Sequence, residues 1–174
     1  MRADFWKKLL KLDADATRRL RIAEKPGLLR NLAAILAHSG DSWFLLVGFA
    51  LLWGFGSGEW KRLAGVCIIS ILLLAGIVFA VKFSVRRKRP EGEWGQIYRQ
   101  TDPHSFPSGH AARAALLSVL AIALGPPWFG VVLLLWAPLV VLARVAMGVH
   151  YFSDVVAGTI LGAVYALLEL FVIL

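Results

Sequence analysis

The chain has 174 residues, of which 59% are apolar, and its mean hydropathy is +0.70. This length fits one domain, and this hydropathy excludes an ordinary soluble domain. The net charge of +8 could suggest a nucleic-acid partner, but nine of the 19 Lys and Arg residues lie in residues 1–30 and five lie in residues 82–89, beside apolar stretches. Such placement favours anionic headgroups or phosphorylated lipids over nucleic acid. The composition therefore predicts a membrane protein whose partner is the lipid bilayer.

The N-terminal segment is predicted to form a basic amphipathic helix. Apolar residues recur at steps of three and four along residues 3–23: Phe5, Trp6, Leu9, Leu12, Ala16 and Leu20. Basic residues fall largely between them, which is typical of a helix lying in the headgroup plane. A helix packed on the protein's own bundle fits the pattern equally well. Pro26 and Gly27 end the segment, so we expect residues 1–27 to precede a membrane-embedded domain of residues 28–174.

Apolar stretches in the remainder of the chain predict five transmembrane helices. They are residues 42–58, 63–81, 108–124, 128–143 and 155–174. Residues 28–38 form a further short amphipathic piece, and Ser39 or Asp41 is the expected N-cap of the first span. With five spans, the N-terminus and the polar connections 86–107 and 148–153 share one membrane face. We therefore expect an all-α, polytopic membrane helix bundle whose polar segments converge at that face.

Ionisable residues stand in very apolar surroundings near the C-terminus. The 30 residues before Arg144 carry no charge, and the 20 residues after Asp154 carry only Glu169. Ionisable groups at such a place are costly unless they are paired or open to water. Arg144 and Asp154, with His150 between them, are therefore candidates for function.

Two further polar motifs lie at the same predicted face. In KFSVRRKRP, residues 82–90, Lys82 and Arg89 are separated by six residues, and PSGH, residues 107–110, opens a span. Taken singly, a basic run can be an orientation signal and Pro-Ser-Gly can merely start a helix. Together, the clusters favour a phosphate site, because Arg binds phosphate bidentately, Lys binds it as a point charge, and free N–H groups at a helix N-terminus bind anions. Two histidines suit a nucleophile and an acid, and a carboxylate can orient one of them.

The three motifs together resemble those of the type 2 phosphatidic acid phosphatase family. They read Lys82-x6-Arg89-Pro90, Pro107-Ser108-Gly109-His110 and Arg144-x5-His150-x3-Asp154. The resemblance covers the chain from about residue 40 to its end. It implies a membrane helix bundle that hydrolyses lipid phosphates without a metal or another cofactor.

The resemblance also implies a role for each matching residue. His150 would be the nucleophile that becomes phosphohistidine, Asp154 would orient it, and His110 would be the general acid and then the base for water. The phosphate would be bound by Lys82, Arg89, Ser108, Gly109 and Arg144. Arg113, one turn after His110, is a candidate substrate contact, with extension to the headgroups as the alternative.

One position departs from the family pattern, because the third motif usually begins Ser-Arg and here reads Ala143-Arg144. The missing hydroxyl removes one hydrogen bond to the phosphate or to a neighbouring group. Nucleophile and acid are unchanged, so we expect activity with an altered affinity.

The leading hypothesis is a phosphatase for a lipid phosphate or diphosphate, such as phosphatidate or phosphatidylglycerophosphate. A polyprenyl phosphate or diphosphate is the alternative substrate, and a non-catalytic phospholipid-binding or transport module is the alternative of another class. We expect the cell (inner) membrane as the location. The family resemblance favours an extracytoplasmic site, whereas nine Lys and Arg in residues 1–30 against two in residues 57–62 favour a cytoplasmic one. The sequence leaves the oligomeric state open.

Overall fold

The computed structural model describes residues 2–174, and the side chains of residues 2, 3, 6, 99 and 101 are outside that description. Within this range lie eight helices: α1 (Arg2–Leu20), α2 (Leu28–Ser39), α3 (Ser42–Phe55), α4 (Gly58–Val85), α5 (Glu93–Thr101), α6 (Gly109–Leu124), α7 (Pro127–Ala146) and α8 (Phe152–Ile173). The described residues form no β-strand, so the predicted all-α fold is confirmed. The predicted apolar position Trp6 is one of the side chains outside the description.

Three helices in residues 2–174 are long and apolar enough to cross a membrane: α4, α7 and α8. The pair α2 and α3 passes the same test only together, and the two helices are bent by 54° at the break between them. The five predicted spans correspond to α3, α4, α6, α7 and α8, of which α3 and α6 are shorter than a bilayer crossing. The predicted multi-pass membrane bundle is confirmed, with three full-length spans, or four if the bent pair is one span.

The short helix α6 is the centre of the bundle and contacts α4, α7 and α8. Most of its residues are buried, including Ala112, Leu116 and Leu120. Because protein rather than lipid surrounds α6, its length need not match the thickness of the hydrocarbon. The helix starts at Gly109, where the hydroxyl of Ser108 caps it by accepting the N–H of Ala111. The predicted phosphate-binding motif therefore opens the best-protected helix of the fold.

Two glycines let α8 lie directly against α6. A Cβ atom on Gly158 would overlap the carbonyl oxygen of Ser108, and one on Gly162 would overlap that of Ala112. Small residues at this spacing allow two helix backbones to approach closely. The N–H of Ser108 also donates to the carbonyl of Asp154 at 2.9 Å. This packing brings the start of α6 beside the start of α8, which are the two places where the functional histidines are predicted.

The N-terminal helix α1 contacts the bundle at α7 and α8. Its described side chains include one that is fully buried, Thr17, whereas Leu9, Leu10 and Leu12 are exposed. The helix therefore contacts the bundle at Thr17 and leaves these three leucine side chains exposed. Its placement in the headgroup plane stays a prediction.

Candidate active site

The three sequence motifs meet at one end of the bundle. Lys82 lies in the last turn of α4, Arg144 lies in the last turn of α7, and His110 lies in the first turn of α6. Arg89 follows α4, and His150 lies in the turn that precedes α8. The predicted site residues with at most 4% exposure are Lys82, Arg89, Ser108, Arg144, His150 and Asp154. Burial of so many ionisable side chains in one place is costly unless they bind each other or a ligand.

The imidazole of His150 lies between a guanidinium and a carboxylate. Its Nε2 atom is 3.2 Å from Nη1 of Arg89, and its Nδ1 atom is 3.6 Å from Oδ2 of Asp154. A guanidinium only donates hydrogen bonds, so Nε2 carries the lone pair and Nδ1 carries the proton. Burial, followed by the charge of Arg89, lowers the pKa of His150 well below its ordinary value. The ring is therefore a neutral base at physiological pH, with its free electron pair directed towards the cations.

The turn that holds His150 depends on a glycine. Gly148 has φ +69, in the left-handed region, and a Cβ atom there would also meet the side chain of Arg21. The chain can therefore reverse between α7 and α8 at this point and place His150 ahead of α8 rather than within it.

The distance of 3.6 Å from Nδ1 of His150 to Oδ2 of Asp154 is longer than a hydrogen bond, and Nδ1 has no other partner in the described part of the chain.

The carboxylate of Asp154 accepts hydrogen bonds from a backbone N–H group and from a guanidinium. Oδ2 accepts the N–H of Tyr151 at 2.9 Å, and Oδ1 accepts Nη1 of Arg87 at 2.7 Å. The first bond caps α8, and the second pairs a fully buried carboxylate with a cation. Sequence reasoning assigned Asp154 but missed Arg87, because a basic run beside a span does not reveal which of its members turns inward.

Arg144 is buried with part of its guanidinium unused. Its Nη1 donates to the hydroxyl of Tyr98 at 3.1 Å, and its guanidinium lies 4.7 Å from the centre of that ring. Nε of Arg144 is buried and has no hydrogen-bond partner among the described residues. An unpartnered donor on a buried cation is what an incoming anion would satisfy. Tyr98, on α5, was not predicted from the sequence.

The carboxylate of Asp102 binds two of the cations that are predicted to bind phosphate. Oδ2 of Asp102 accepts Nζ of Lys82 and also Nη2 of Arg89, the latter at 2.8 Å. Burial would raise the pKa of Asp102, but its hydrogen bond to Lys82 and the charges of Lys82 and Arg89 hold that pKa below its ordinary value. Asp102 is therefore ionised and binds both cations as a phosphate oxygen would. No sequence pattern pointed to it.

His110 has its own carboxylate partner. Its Nε2 atom lies 2.6 Å from Oδ1 of Asp41, and Oδ2 of Asp41 lies 3.0 Å from Nδ1 of His38. Asp41 occupies the predicted N-cap position of α3, but its side chain makes no capping bond. The sequence prediction therefore identified the position of Asp41 but missed that its carboxylate faces His110.

A cavity of about 430 Å³ lies next to His110, and the residues that line it do not include His150 or Asp154. Its polar wall includes Asp41, Lys82, Asp102 and His110, and Gly109 also lies on it. Its apolar wall consists of Trp43, Ala75, Val78 and Phe79. A cavity with ionisable groups at one wall and apolar side chains at the other suits an amphipathic ligand. Within residues 2–174, no three His, Cys, Asp or Glu side chains are grouped as a metal site would require.

Arg113 and Ala143, which the sequence analysis also singled out, contact residues that do not belong to the group of phosphate-binding cations. Arg113 lines the cavity, but its Nε and Nη2 atoms donate to the carbonyl of Gly40 at 3.2 and 3.0 Å. It thereby fastens the bend between α2 and α3 to α6. Ala143 is buried in a cluster of small apolar residues with Ala37 and Met147. A serine at position 143 would therefore place its hydroxyl group in this apolar contact.

Comparisons with known proteins agree with this geometry. The sequence model of the PAP2 superfamily matches residues 63–173, which include the three motif segments. A decaprenylphosphoryl-5-phosphoribose phosphatase from Mycobacterium tuberculosis is 35% identical over 149 residues, which are 82% of this chain and 78% of the relative.

Two solved structures share the fold. The crystal structure of Aquifex aeolicus LpxE superimposes with a TM-score of 0.71 at 24% identity and covers 90% of this chain and 93% of its own. The PAP2-type phosphatidylglycerolphosphate phosphatase from Bacillus subtilis superimposes with a TM-score of 0.74 at 21% identity, covering 92% of this chain and 84% of its own. At these identities the two structures support the fold alone. The family model that matches residues 63–173 and the 35% identical relative establish that this protein belongs to the PAP2 superfamily.

Proposed function

We propose that the protein hydrolyses a phosphate monoester of a membrane lipid through a phosphohistidine formed on His150. The single observation that carries this proposal is the state of His150, a buried neutral imidazole whose Nε2 lone pair is directed at Arg89. Arg144 and Lys82 act on the same ring with their charges. A nucleophile next to clustered cations fits attack on an anionic phosphoryl group, whose charge those cations would neutralise.

The first step forms a phosphoenzyme. Nε2 of His150 attacks phosphorus with its lone pair, the bond between phosphorus and the lipid oxygen breaks, and that oxygen takes a proton from the imidazolium of His110. The products are a lipid alcohol and phosphohistidine. Asp154, beside Nδ1, stabilises the positive charge that develops on the His150 ring. Asp41, whose Oδ1 lies 2.6 Å from Nε2 of His110, orients that ring for the transfer.

The second step returns the enzyme to its starting state. His110, now neutral, takes a proton from a water molecule whose oxygen attacks phosphorus. The bond between phosphorus and Nε2 breaks, the electron pair returns to His150, and inorganic phosphate leaves. Lys82, Arg89, Arg144 and the start of α6 at Ser108 and Gly109 would bind the phosphoryl oxygens in both steps.

A polyprenyl-linked phosphate is the second candidate substrate. The observation that favours it is the 35% identity to the mycobacterial enzyme, whose name gives a decaprenyl-linked sugar phosphate as its substrate. The apolar wall of the cavity accepts isoprenoid and acyl chains alike, because both are bound by non-directional apolar contact. The headgroup chemistry that the two candidates share is a phosphate ester at the membrane surface.

Phosphate release from a lipid panel tests this proposal. The protein, purified in detergent and assayed with EDTA, is given phosphatidate, phosphatidylglycerophosphate, lipid A, and short polyprenyl monophosphates and diphosphates. We expect release from at least one lipid, loss of that release in His150→Ala, and its retention in His104→Ala, a matched control whose ring packs edge-on against Phe83. No release from any lipid by the folded protein, with retained binding to lipid vesicles, would contradict a phosphatase and favour a binding module.

The charge distribution supports a site at the cytoplasmic face of the cell membrane. Residues 1–30 carry nine Lys and Arg residues and lie on the side of the site, whereas residues 57–62, at the opposite end, carry only Lys61 and Arg62. The native Cys67 is buried, so a single introduced cysteine can report the face. We expect Lys8→Cys to resist an impermeant thiol reagent in intact cells and to react after lysis. Ready labelling of intact cells would place the site on the extracytoplasmic face.

A further inference from the structure

The N-terminal helix reaches the turn that carries the proposed nucleophile. Asp13 Oδ1 accepts the N–H of Ser153 at 2.9 Å, and Thr17 Oγ1 accepts the N–H of Phe152 at 3.0 Å. These two N–H groups belong to the first turn of α8 and have no acceptor within that helix. Residues from α1, 135 and 140 positions away in sequence, thus cap the helix that begins directly after His150.

Arg87 joins α1 to the carboxylate beside the nucleophile. Its Nη2 donates to Oδ2 of Asp13 at 2.6 Å, and its Nη1 donates to Oδ1 of Asp154 at 2.7 Å. Nη1 also donates to the hydroxyl of Ser153 at 2.7 Å. The guanidinium lies 3.9 Å from the centre of the Tyr151 ring. Arg87 therefore bridges two carboxylates in a fixed geometry, unlike Arg144, whose Nε has no hydrogen-bond partner among the described side chains.

The ion pairs that link Asp13, Arg87 and Asp154 are largely buried, which increases their effect on the position of Asp154. The side chains of Asp13, Arg87 and Asp154 are 12%, 18% and 0% exposed. An ion pair that is largely shielded from water is screened less than a surface pair and holds its partners in a narrower range of positions. Among the hydrogen bonds of the described residues, Arg87 is the cation that donates to Asp154, so the orientation of this carboxylate depends on where Asp13 holds Arg87.

Ordinary hydrophobic docking does not explain how α1 is attached. A helix that packs for burial places its apolar side chains inward. Among the described side chains of α1, Thr17 is the one that is fully buried, whereas Leu9, Leu10 and Leu12 are 40% to 56% exposed. The hydrogen bonds from α1 to the bundle are thus made by Asp13 and Thr17, and they converge on the first turn of α8.

We propose, on the basis of the proposed function, that Asp13 and Arg87 are positioning residues for catalysis: Asp13 holds Arg87 against Asp154, and Arg87 fixes the Asp154 carboxylate beside Nδ1 of His150. The amphipathic helix α1 is then part of the catalytic unit as well as a membrane-surface element. Neither residue contacts the cavity next to His110. Their loss should therefore slow the attack step without weakening substrate binding.

The test compares kcat and KM on the best lipid of the panel for four single variants of the full chain. Asp13→Asn removes the charge that holds Arg87, and Arg87→Lys replaces the bridging fork with one ammonium that cannot satisfy both carboxylates. Thr17→Val removes a cap of α8 and leaves the ion pairs intact. Asp15→Asn is the matched control on α1, because Asp15 pairs with the exposed Arg18 at 2.7 Å.

We expect kcat to fall by about 10- to 100-fold in Asp13→Asn and Arg87→Lys, with KM within about twofold of the wild type, since small displacements of a reacting group have effects of this size. Thr17→Val should have a smaller effect on kcat, and Asp15→Asn none. Asp13→Glu should recover part of the activity. If Asp13→Asn does not fold, Arg87→Lys carries the test.

Three results would overturn the inference. They are wild-type kcat in both Asp13→Asn and Arg87→Lys, an equal loss in Thr17→Val, which would indicate docking of α1 alone, and a rise in KM without a change in kcat. The activity of the wild type distinguishes failure of the positioning role from failure of the proposed function. An active wild type with unaffected variants refutes only the positioning role, whereas an inactive wild type refutes the phosphatase itself.

Discussion

The start of α8 and the start of α6 each place a histidine beside an aspartate, but the two surroundings differ. At α8, the carboxylate of Asp154 is 3.6 Å from Nδ1 of His150 and is also bonded to Arg87. At α6, the carboxylate of Asp41 is 2.6 Å from Nε2 of His110, and its other oxygen faces His38. One aspartate is thus neutralised by a permanent cation, and the other shares its charge between two imidazoles.

This difference indicates how two like residues can take opposite roles. The guanidinium of Arg87 already compensates the charge of Asp154, so this carboxylate can orient His150 while the ring stays neutral. The Asp41 carboxylate can accept a hydrogen bond from Nε2 of His110, so this pairing suits the histidine that gives up a proton. Reaction by nucleophilic attack and proton donation needs such a pair of unequal histidines.

The largest effect is expected where the two histidines are replaced in turn. On p-nitrophenyl phosphate, whose leaving group needs little protonation, His150→Ala should lose about 10,000-fold in kcat, as removal of a nucleophile generally does. His110→Ala should still transfer its first phosphoryl group. First-turnover assays with this substrate and with the lipid would show the contrast, because hydrolysis of the phosphoenzyme also needs His110. Equal first-turnover losses in both variants on both substrates would remove the distinction between the pairs.

A smaller effect is expected when the acid keeps its imidazole but loses its carboxylate. Asp41→Asn should lower kcat on the lipid by about 10- to 100-fold, because general-acid catalysis contributes at least this much when the leaving group is an alkoxide. The same variant should lose less than about threefold on p-nitrophenyl phosphate. A parallel loss on both substrates would mean that Asp41 only supports the bend between α2 and α3.

Removal of the carboxylate that occupies the cations should strengthen binding. Because Asp102 holds Lys82 and Arg89, a substrate phosphate must displace it. In Asp102→Asn we expect KM for the lipid and the inhibition constant of inorganic phosphate to fall by about three- to tenfold, since the competing state is weakened. An increase in both constants would instead identify Asp102 as a support for the cations.

The pH dependence of kcat/KM reports the state of His150 in the free enzyme. Burial and the charge of Arg89 place the pKa of His150 below its ordinary value, and the reactive form is the neutral one. Activity therefore falls only when the pH drops below that lowered pKa, and an imidazole with an ordinary pKa of about 6.5 would already be half protonated at pH 6.5. We expect kcat/KM at pH 6.5 to exceed half of its plateau value, and an acidic limb centred above pH 6.5 would contradict this.

The smallest effect is expected at the position that departs from the family motif. Ala143 packs among small apolar residues, so Ala143→Ser would place its hydroxyl in an apolar contact, where it can bond to the preceding turn of its own helix. We expect KM and kcat to change by less than about twofold. A large fall in KM would show that the hydroxyl reaches the phosphate site after all.

The sequence was sufficient for the elements whose signal is local. Apolar stretches located α4, α7 and α8, and the motif spacing brought His110, His150 and the cations to one face. The partners of these residues carry no local signal, because they lie far away in sequence. Asp41 and His110 are 69 residues apart, and Arg87 and Asp154 are 67 apart. A lone aspartate at a helix start is ordinarily a helix cap. The packed bundle is needed to see that Asp41 instead contacts His110.

Trapping the phosphoenzyme tests the central claim most directly. His110→Ala is mixed with p-nitrophenyl phosphate in the presence of EDTA, p-nitrophenol is followed through the first turnover, and the quenched protein is mapped by mass spectrometry. The account predicts a burst of about one p-nitrophenol per protein molecule, a phosphoryl group on His150 that is labile to acid and stable to base, and neither signal in the double variant with His150→Ala. Turnover without a burst, or a phosphoryl group on another residue, would contradict nucleophilic attack by His150.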